Sequence, residues 1–249
     1  MTRQRLDREL VRRGLARSRA EATSLIEGGS VRVGGIPTPK STTLVDAGTP
    51  VELVGPGPKY VSRGGLKLEG ALESFGVSAG GRRCIDLGAS TGGFTDCLLQ
   101  AGAASVTAVD VGYGQMDDTL AGRPEVTVVD RTNIRHADPA ALGAPFDLVV
   151  GDLSFISLCT VADTVRALVA DDGEAVLLVK PQFEVGKGKV GRGGIVRDEE
   201  TRERALADVM ECLGTSGLVT VATCVSPITG AKGNVEFFVH CRPAGTDTA

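Results

Sequence analysis

The chain has 249 residues, which is enough for one large and one small domain. Of these residues 42% are hydrophobic and 23% charged, which is typical of a globular protein. Six cysteines without any C-x-x-C pair and only two histidines argue against a zinc site and a disulfide framework, and fit a reduced cytoplasm. No run of about 18 apolar residues is present, so the sequence predicts no membrane-spanning helix and a cytoplasmic protein.

Charge is distributed unevenly along the chain. Residues 1–59 carry a net charge of +4 and residues 60–249 a net charge of −8, which together give the overall charge of −4. A basic segment joined to an acidic one indicates that the small segment binds a polyanion.

Apolar residues at helical spacing predict two short N-terminal helices, which Gly14 and the pair Gly28-Gly29 should end. Ser18 with Glu21 three residues later has the spacing of a capping box at the start of the second helix. The stretches SVRVGG and TLVDAGTPVELVG then predict short strands joined by turns. The apolar faces consist of Leu6, Leu10 and Val11 in the first helix and Ala22, Leu25 and Ile26 in the second.

Arginines crowd onto this helical pair, and a solvated basic face alone would account for them. The order helix, S-R-x-x-A, helix, G-x-V-x-V-x-G is more specific, and it resembles the small RNA-binding domain of the fourth protein of the small ribosomal subunit. The resemblance implies phosphate contacts that give salt-dependent affinity without base reading. The implied RNA contacts are Arg3, Arg5, Arg17, Arg19, Lys40 and Arg63.

The segment GPGPKYVS, residues 55–62, has the Pro and Gly content of an interdomain linker. We therefore predict an RNA-binding domain over residues 1–58, a linker over 59–62 and a larger domain over 63–249. From residue 82 strand and helix patterns alternate, which predicts an α/β fold with a parallel sheet covered by helices on both faces. The last two strands, LVTVATCVS and NVEFFVHCR, are joined by a short loop, so they should form a hairpin whose final strand is antiparallel.

A glycine-rich segment, DLGASTGGF at residues 86–94, follows the first strand of the larger domain. Open α/β sheets bind ligands at the carboxyl ends of their strands, where these glycines would let backbone approach a ligand. The segment lacks G-x-G-x-x-G, so a NAD site fits it poorly. Asp110 and Asp130 at the next strand ends favour an adenosine-containing cofactor, Asp110 suiting ribose hydroxyls and Thr132 and Asn133 an adenine edge.

The seven-strand plan with its terminal hairpin resembles the S-adenosylmethionine-dependent methyltransferases, whose domain is Rossmann-like. From residue 3 to about 242 the chain resembles the TlyA family, also called hemolysin A, of ribosomal RNA 2′-O-methyltransferases with an FtsJ-like catalytic domain. The matching segments are LVRRGLARSRAEA, VSRGGLKLEGAL, DLGASTGGFTDCLL, DVGYGQ, DLSFISL, LVKPQFEVGKG and GNVEFF.

This resemblance implies S-adenosylmethionine as the cofactor and cytidines of ribosomal RNA, in the small subunit, the large subunit or both, as the substrate. It implies ribosomal RNA or ribosomal subunits as partners, no membrane, no metal, and a monomer. The implied cofactor residues are Asp86, Gly88, Ala89, Ser90, Gly92, Gly93, Phe94, Asp110, Val111, Asp130, Thr132, Asn133, Asp152 and Leu153.

The segment AVLLVKPQF, residues 175–183, has the pattern of a buried strand that ends at Lys180. An ordinary lysine there would extend into water, because burying its charge is costly. FtsJ-like enzymes use a Lys-Asp-Lys-Glu tetrad, which Lys67, Asp152, Lys180 and Glu236 match one by one. The resemblance implies that Lys180, its neutral form favoured by burial and by Lys67, accepts the 2′-hydroxyl proton or stabilises the alkoxide. Asp152 would orient Lys180, and Glu236 would balance Lys67 and help hold the ribose.

The glycine-rich segment VGKGKVGRGG, residues 185–194, is expected to be a basic loop that closes over RNA through Lys187, Lys189 and Arg192. An ordinary surface loop fits it almost equally well. Four aromatic side chains have either a packing role, favoured for most of them, or a stacking role against cofactor or base: Phe94, Tyr113, Phe155 and Phe183.

Other classes of function stay open at this level. An RNA-binding accessory protein with an inactive catalytic domain is disfavoured by the intact tetrad and cofactor loop. A membrane-active hemolysin, as the family's other name suggests, finds no spanning segment to support it. A NAD-dependent oxidoreductase lacks its fingerprint.

Overall fold

The chain divides into two units, Met1–Gly65 and Leu66–Ala249. The structure, a computed structural model, describes residues 3–16, 19–38, 40–55, 57–186, 190–191, 193–230 and 233–245. Within these residues no helix combines the length and the apolar character needed to cross a membrane.

The first unit combines two helices with two small antiparallel sheets. The helices are α1 (Leu6–Arg12) and α2 (Arg19–Glu27). The strands are β1 (Gln4–Arg5), β2 (Val31–Val33), β3 (Ile36–Pro37), β4 (Leu44–Val45) and β5 (Val51–Leu53). β1 pairs with β4, and β2 lies between β3 and β5.

The core of this unit lies on the helix faces that the sequence predicts. Leu6, Leu10 and Ile26 are completely buried, and they pack with Val31, Val45 and Val51 of the strands. The predicted helix ends are confirmed as well, because the chain leaves both helices through glycines at positive φ, Gly14 at +70° and Gly29 at +74°. The predicted Ser18 cap lies outside the described residues.

The second unit is built around a seven-stranded sheet. Its strands are β6 (Arg83–Leu87), β7 (Ser105–Val109), β8 (Val126–Val129), β9 (Phe146–Gly151), β10 (Val169–Val179), β11 (Leu218–Val225) and β12 (Phe237–Pro243). Their order across the sheet is β11-β12-β10-β9-β6-β7-β8. All neighbours are parallel except β12, which runs antiparallel to β10 and β11, so the predicted parallel sheet with a terminal hairpin is confirmed.

Helices cover both faces of this sheet, as predicted. They are α3 (Gly64–Phe75), α4 (Gly93–Gln100), α5 (Asp118–Ala121), α6 (Ala162–Leu168), α7 (Pro181–Glu184) and α8 (Glu199–Thr215), with 3₁₀ turns η1 (Ile134–His136) and η2 (Leu158–Thr160). Val239 of β12 belongs to the core beneath α6 and α8. Its neighbours point to the opposite face, where Phe238 stacks on Phe94 of α4 and His240 on Phe75 of α3.

The order of the strands reverses beside β6. β7 and β8 follow on one side of it, and β9 and β10 on the other. At such a switch point the loops after adjacent strands turn apart and leave a crevice at the carboxyl ends of the strands. The loops after β6 and β9 carry the DLGASTGGF and DLSFISL segments, so the topology brings these two motifs together.

One pair of cysteines forms a disulfide, which the sequence did not predict. Cys159 in η2 is joined to Cys212 in α8, 53 positions away, with Cα atoms 5.3 Å apart. The expectation of a chain without disulfides is wrong at this pair. Packing of η2 against α8 brings the two cysteines together, and their spacing in the sequence does not reveal this contact. The other four cysteines are free thiols.

Candidate active site

A cavity of about 580 Å³ opens at the carboxyl ends of β6, β7, β8 and β9. Its volume lies in the range of roughly 300–1,000 Å³ that is common for cofactor pockets. Eight of the fourteen predicted cofactor residues line it: Gly88, Ser90, Asp110, Val111, Thr132, Asn133, Asp152 and Leu153. The other six do not: Asp86, Ala89, Gly92, Gly93, Phe94 and Asp130.

The loop after β6 requires glycine at two positions. Gly88 has φ +84°, and a Cβ atom there would lie 3.0 Å from the carbonyl oxygen of Asp152. Gly92 has φ +94°, and its Cβ would lie 2.5 Å from Sδ of Met116. These glycines let the loop pass closely over its neighbours before α4 begins, so Gly92 shapes the loop without lining the cavity.

Asp110, at the end of β7, connects two loops from the cavity wall. Its Oδ2 accepts a hydrogen bond from the backbone N–H of Ser90 at 2.9 Å, and its Oδ1 accepts one from Gly112 at 2.7 Å. A carboxylate oxygen can accept more than one hydrogen bond, so the hydroxyls of a ribose fit the remaining capacity.

The loop after β8 offers amide and hydroxyl groups to the cavity, whereas its predicted acid has another contact. Asp130 lies outside the cavity lining, and its Oδ2 accepts the N–H of Gly114 at 2.8 Å. Thr132 and Asn133 do line the cavity. The Oδ1 of Asn133 accepts the N–H of Arg135 at 3.0 Å, which leaves its NH₂ group for a ligand such as an adenine edge.

Asp86 is a fully buried carboxyl group at the end of β6. Its Oδ2 accepts a hydrogen bond from Thr95 at 2.7 Å, while its Oδ1 has no partner among the described residues. Burial, reinforced by the carboxylates of Asp152 and Asp110, raises the pKa of Asp86 to about 7. Asp86 does not line the cavity, whereas Asp110 and Asp152 do, and their carboxylates fit a cofactor that carries positive charge and hydroxyl donors, as S-adenosylmethionine does.

Lys180 follows β10 and is buried, with only a tenth of its side chain exposed. Its ammonium forms an ion pair with Asp152 and donates to Ser154 Oγ at 2.7 Å. Both partners line the cavity. Pro181 begins α7 directly afterwards and ends the strand, so the lysine is held at the sheet edge and does not extend into water.

Lys67 and Glu236 form a second buried ion pair, with Nζ and Oε2 2.6 Å apart. Glu236 directly precedes β12, where Val179 pairs with Phe237. Continuing this antiparallel register places Glu236 beside Lys180 at the same sheet edge. The structure therefore brings the four predicted catalytic residues to one edge, as two ion pairs.

Several residues at this edge escaped the sequence reasoning. Ser154 is one, and a hydroxyl two positions after a strand-end acid is too common to stand out. Glu184 of α7 is another, because its carboxylate accepts hydrogen bonds from Ser157 Oγ at 2.6 Å and Leu158 N–H at 3.0 Å. These contacts hold the loop after β9 against α7. The cavity is also lined by Gln115, Arg135, His136 and Ile156.

The four aromatic residues divide between packing and exposure. Phe94 is buried, which confirms the packing role for that ring. Phe155 lines the cavity with 91% of its surface exposed and φ +66°, and it contacts the Phe183 ring at 5.1 Å between centroids. Tyr113 is 70% exposed beneath the Arg131 guanidinium. Phe155 and Tyr113 are therefore not core residues, and Phe183 is partly buried.

In the first unit, most described cations predicted to contact RNA already have acidic partners. Arg5 and Arg19 both pair with Asp7, and Arg3 lies 3.5 Å from Asp46. Arg63 pairs with Glu27 at 2.7 Å, and Lys40 is exposed. The remaining predicted contacts lie outside the described residues: Arg17, Lys187, Lys189 and Arg192.

Comparison with known families gives two matches along the chain. The FtsJ-like methyltransferase family matches residues 60–242, and the S4 domain family matches residues 4–50. The first match contains the cavity and both buried ion pairs, and the second contains α1, α2 and β1 to β4.

Individual relatives match nearly the full length. The Mycobacterium tuberculosis protein named 16S/23S rRNA (cytidine-2′-O)-methyltransferase TlyA is 50% identical over 241 residues, 96% of this chain and 90% of that protein. Hemolysin A of Brachyspira hyodysenteriae is 37% identical over 95% of this chain and 98% of its own length. The solved structure of a hemolysin-named protein from Streptococcus thermophilus superposes with a TM-score of 0.78 at 38% identity, covering 98% of this chain and 90% of that one.

Proposed function

The chain belongs to the FtsJ-like methyltransferase family, among its TlyA members, and from this premise we propose that it methylates the ribose 2′-hydroxyl of a cytidine in ribosomal RNA. The Mycobacterium tuberculosis relative is named for this reaction. One observation carries the proposal for this chain: the buried Lys180 is held by Asp152 and Ser154, two residues of the cavity wall.

The cavity would hold S-adenosylmethionine, which supplies an electrophilic methyl group when bound. Asp110 would accept hydrogen bonds from the ribose hydroxyls, and Asn133 would donate to the adenine edge. The carboxylates of Asp110 and Asp152 in the cavity wall support binding of a positively charged cofactor. These residues bind and orient the cofactor, so that the reacting groups meet in line.

Lys180 would act on the 2′-hydroxyl, which is a poor nucleophile until its proton leaves. The neutral amine accepts that proton, whereas the ammonium stabilises the alkoxide that forms. The contacts to Asp152 and Ser154 hold Nζ in one place, so either action occurs at a fixed position. Glu236 would hold the ribose, and its pair with Lys67 keeps two buried charges compensated.

RNA docking is assigned to residues 1–58 and methyl transfer to residues 63–249. The excess of positive charge near the N-terminus and the S4 domain match support this division. Because ribosomal RNA is cytoplasmic, the proposal places the reaction in the cytoplasm, with the chain acting as a monomer on ribosomal RNA or a subunit.

The proposal is tested by transfer of a labelled methyl group to purified ribosomal RNA and subunits, followed by mapping of 2′-O-methylated positions. We expect label on cytidine ribose with the parent, and less label at limiting cofactor with Asp110→Ala, whose cofactor affinity should fall roughly tenfold or more. A protein that binds the cofactor but labels no form of ribosomal RNA would contradict the proposal. Leakage of liposomes caused by the purified protein would favour a membrane-active function instead.

A further inference from the structure

We infer that Asp7, a buried acid of the first unit, is a positioning residue that holds Arg5 and Arg19 as one cationic pair for RNA phosphates. The inference rests on the proposed RNA substrate and adds the acid on which the grip depends. A buried negative charge would thus strengthen binding to a polyanion.

The geometry joins two elements through one carboxylate. Arg5 lies just before α1 and donates through Nε to Asp7 Oδ1 at 3.1 Å and through its NH2 group to Oδ2 at 2.9 Å. Arg19, the first residue of α2, donates through its NH2 group to the same Oδ2 at 2.9 Å. Two arginines 14 positions apart in the sequence are thereby brought to one point on the surface of the unit.

Burial separates the acid from the cations it holds. The Asp7 side chain is only 2% exposed, whereas the side chains of Arg5 and Arg19 are 39% and 55% exposed. The hydrogen bond from Arg5 is the main cause that holds the pKa of Asp7 well below its usual range, so the acid is charged at neutral pH. The acid lies inside while the two guanidinium groups face solvent, where a phosphate can reach them.

A second buried acid in the same unit shows a different arrangement. Glu9 pairs with Arg12 and Arg13, but Arg13 also donates to the backbone carbonyl groups of Thr49, Asp46 and Ala47. The Arg13 guanidinium is therefore occupied by backbone contacts that fix a turn of the unit. The NH1 group of Arg5 has no partner among the described residues, so the Asp7 pair keeps donors for a ligand.

Asp7 contributes by ordering the side chains of Arg5 and Arg19 before RNA binds. A free arginine loses rotamer freedom when it binds a phosphate, and an arginine already held by a carboxylate loses less. The guanidinium fork can donate along one edge to Asp7 and along another to a phosphate oxygen. Removing Asp7 makes the unit more positive and yet should weaken its grip on RNA.

The test compares Asp7→Asn with Glu52→Gln, a change of equal charge at an exposed acid of β5 in the same unit. Binding of purified ribosomal RNA is measured over a salt series, with cofactor affinity in parallel. We expect Asp7→Asn to weaken RNA binding about tenfold and to reduce the log–log salt slope by about one phosphate contact, while Glu52→Gln binds as the parent does or slightly more tightly. Binding by Asp7→Asn equal to or tighter than that by Glu52→Gln overturns the inference.

Two further variants keep the test decisive if Asp7→Asn unfolds the unit. Asp7→Glu retains the charge but moves the carboxylate by one methylene, so it should also weaken binding, and parental affinity would overturn the inference. Adding Asp7→Asn to the double variant Arg5→Ala/Arg19→Ala should change RNA affinity no more than Glu52→Gln changes that of the parent, and a larger gain would show that Asp7 only competes with phosphate. If the parent itself binds no ribosomal RNA, the proposed function fails and takes this inference with it.

Discussion

Single residues at the sheet edge combine burial with charge, and that combination makes them testable one at a time. Lys180 and Asp152 compensate each other inside the protein, so removing either side chain leaves an uncompensated charge. A chemical role for Lys180 predicts a loss of rate, whereas a purely structural role predicts a loss of stability.

For Lys180→Ala we expect methyl transfer to fall by about 10²–10⁴-fold, the usual contribution of a general acid or base. Lys180→Arg should not restore the rate if the lysine accepts a proton, because a guanidinium stays protonated. Single-turnover transfer measures the rate, and cofactor and RNA affinities measured in parallel show whether the site is otherwise intact. Near-parental transfer by the arginine variant would leave Lys180 only an electrostatic role, and near-parental transfer by the alanine variant would remove it from the mechanism.

Asp86 predicts a pH dependence of stability. Its native pKa of about 7 lies above the ordinary value near 4, so the folded protein keeps a proton that the unfolded chain releases. The free energy of unfolding should therefore fall between about pH 4 and pH 7, by a few kcal/mol at about 1.4 kcal/mol per pKa unit. Denaturant unfolding should show that Asp86→Asn lacks this decline and exceeds the parent in stability at pH 8. A constant difference between the two proteins at pH 5 and pH 8 would contradict this expectation.

Loss of the Phe155 ring should affect the use of the RNA substrate and leave the stability of the fold unchanged. Because the ring is almost fully exposed, Phe155→Ala should hardly change thermal stability, but it removes a stacking surface beside the cavity. Stacking of a base on an aromatic ring contributes about 1–3 kcal/mol, so kcat/KM for RNA should fall about tenfold or more. Phe155→Tyr should restore it, and an alanine variant with parental kcat/KM would remove the ring from the substrate site.

At the scale of elements, strand ends were easier to predict than side-chain partners. The apolar run before Lys180 and the short loop before Glu236 place both residues at one sheet edge, because an antiparallel strand begins where its parallel neighbours end. The tertiary path of the loop after β9 determines two other features: the hydrogen bond from Lys180 to Ser154 and the left-handed backbone of Phe155. No local pattern in DLSFISL encodes that path.

The link between η2 and α8 gives a prediction about stability. A disulfide that closes 53 positions restricts the unfolded chain, and such bonds commonly contribute about 2–4 kcal/mol. Reductant should therefore lower the unfolding temperature of the parent by roughly 5–10 °C. The matched control is Cys212→Ser, on which reductant should have no further effect. An unchanged unfolding temperature in the reduced parent would contradict the prediction.

At the scale of the whole molecule, charge is unevenly distributed along the chain, and the proposed tasks of RNA docking and methyl transfer follow the same division. A count of charged residues shows that the N-terminal region is basic and the remainder acidic. The same count predicts a polyanion as the partner. Counting could not show that Arg5 and Arg19 share the buried Asp7, since that contact joins two helices. Sequence position alone likewise assigns Asp130 to the cofactor, whereas in the structure its carboxylate accepts a hydrogen bond from the backbone of Gly114.

This division predicts that salt affects RNA binding far more than cofactor binding. Raising the salt concentration from 50 to 200 mM should weaken RNA binding about tenfold or more, because each phosphate contact releases counterions. Cofactor affinity should change less than about twofold, since the cavity is partly enclosed and salt screens partly buried charges less than exposed ones. Filter binding and calorimetry over the same salt series measure the two affinities, and RNA binding that is insensitive to salt would contradict the phosphate-grip interpretation.

The bond between Cys159 and Cys212 turns the intervening segment into a covalent ring, and Lys180 lies inside it. In a single-molecule pulling experiment on the chain ends, the 53 positions within the ring would not extend, which conceals roughly 180 Å of contour length until reductant is added. A protease that cuts once inside the ring would leave both fragments attached, so β10, α7 and most of α8 would stay with the rest of the chain on a non-reducing gel. Severing the backbone beside Lys180 would therefore not release it from the protein.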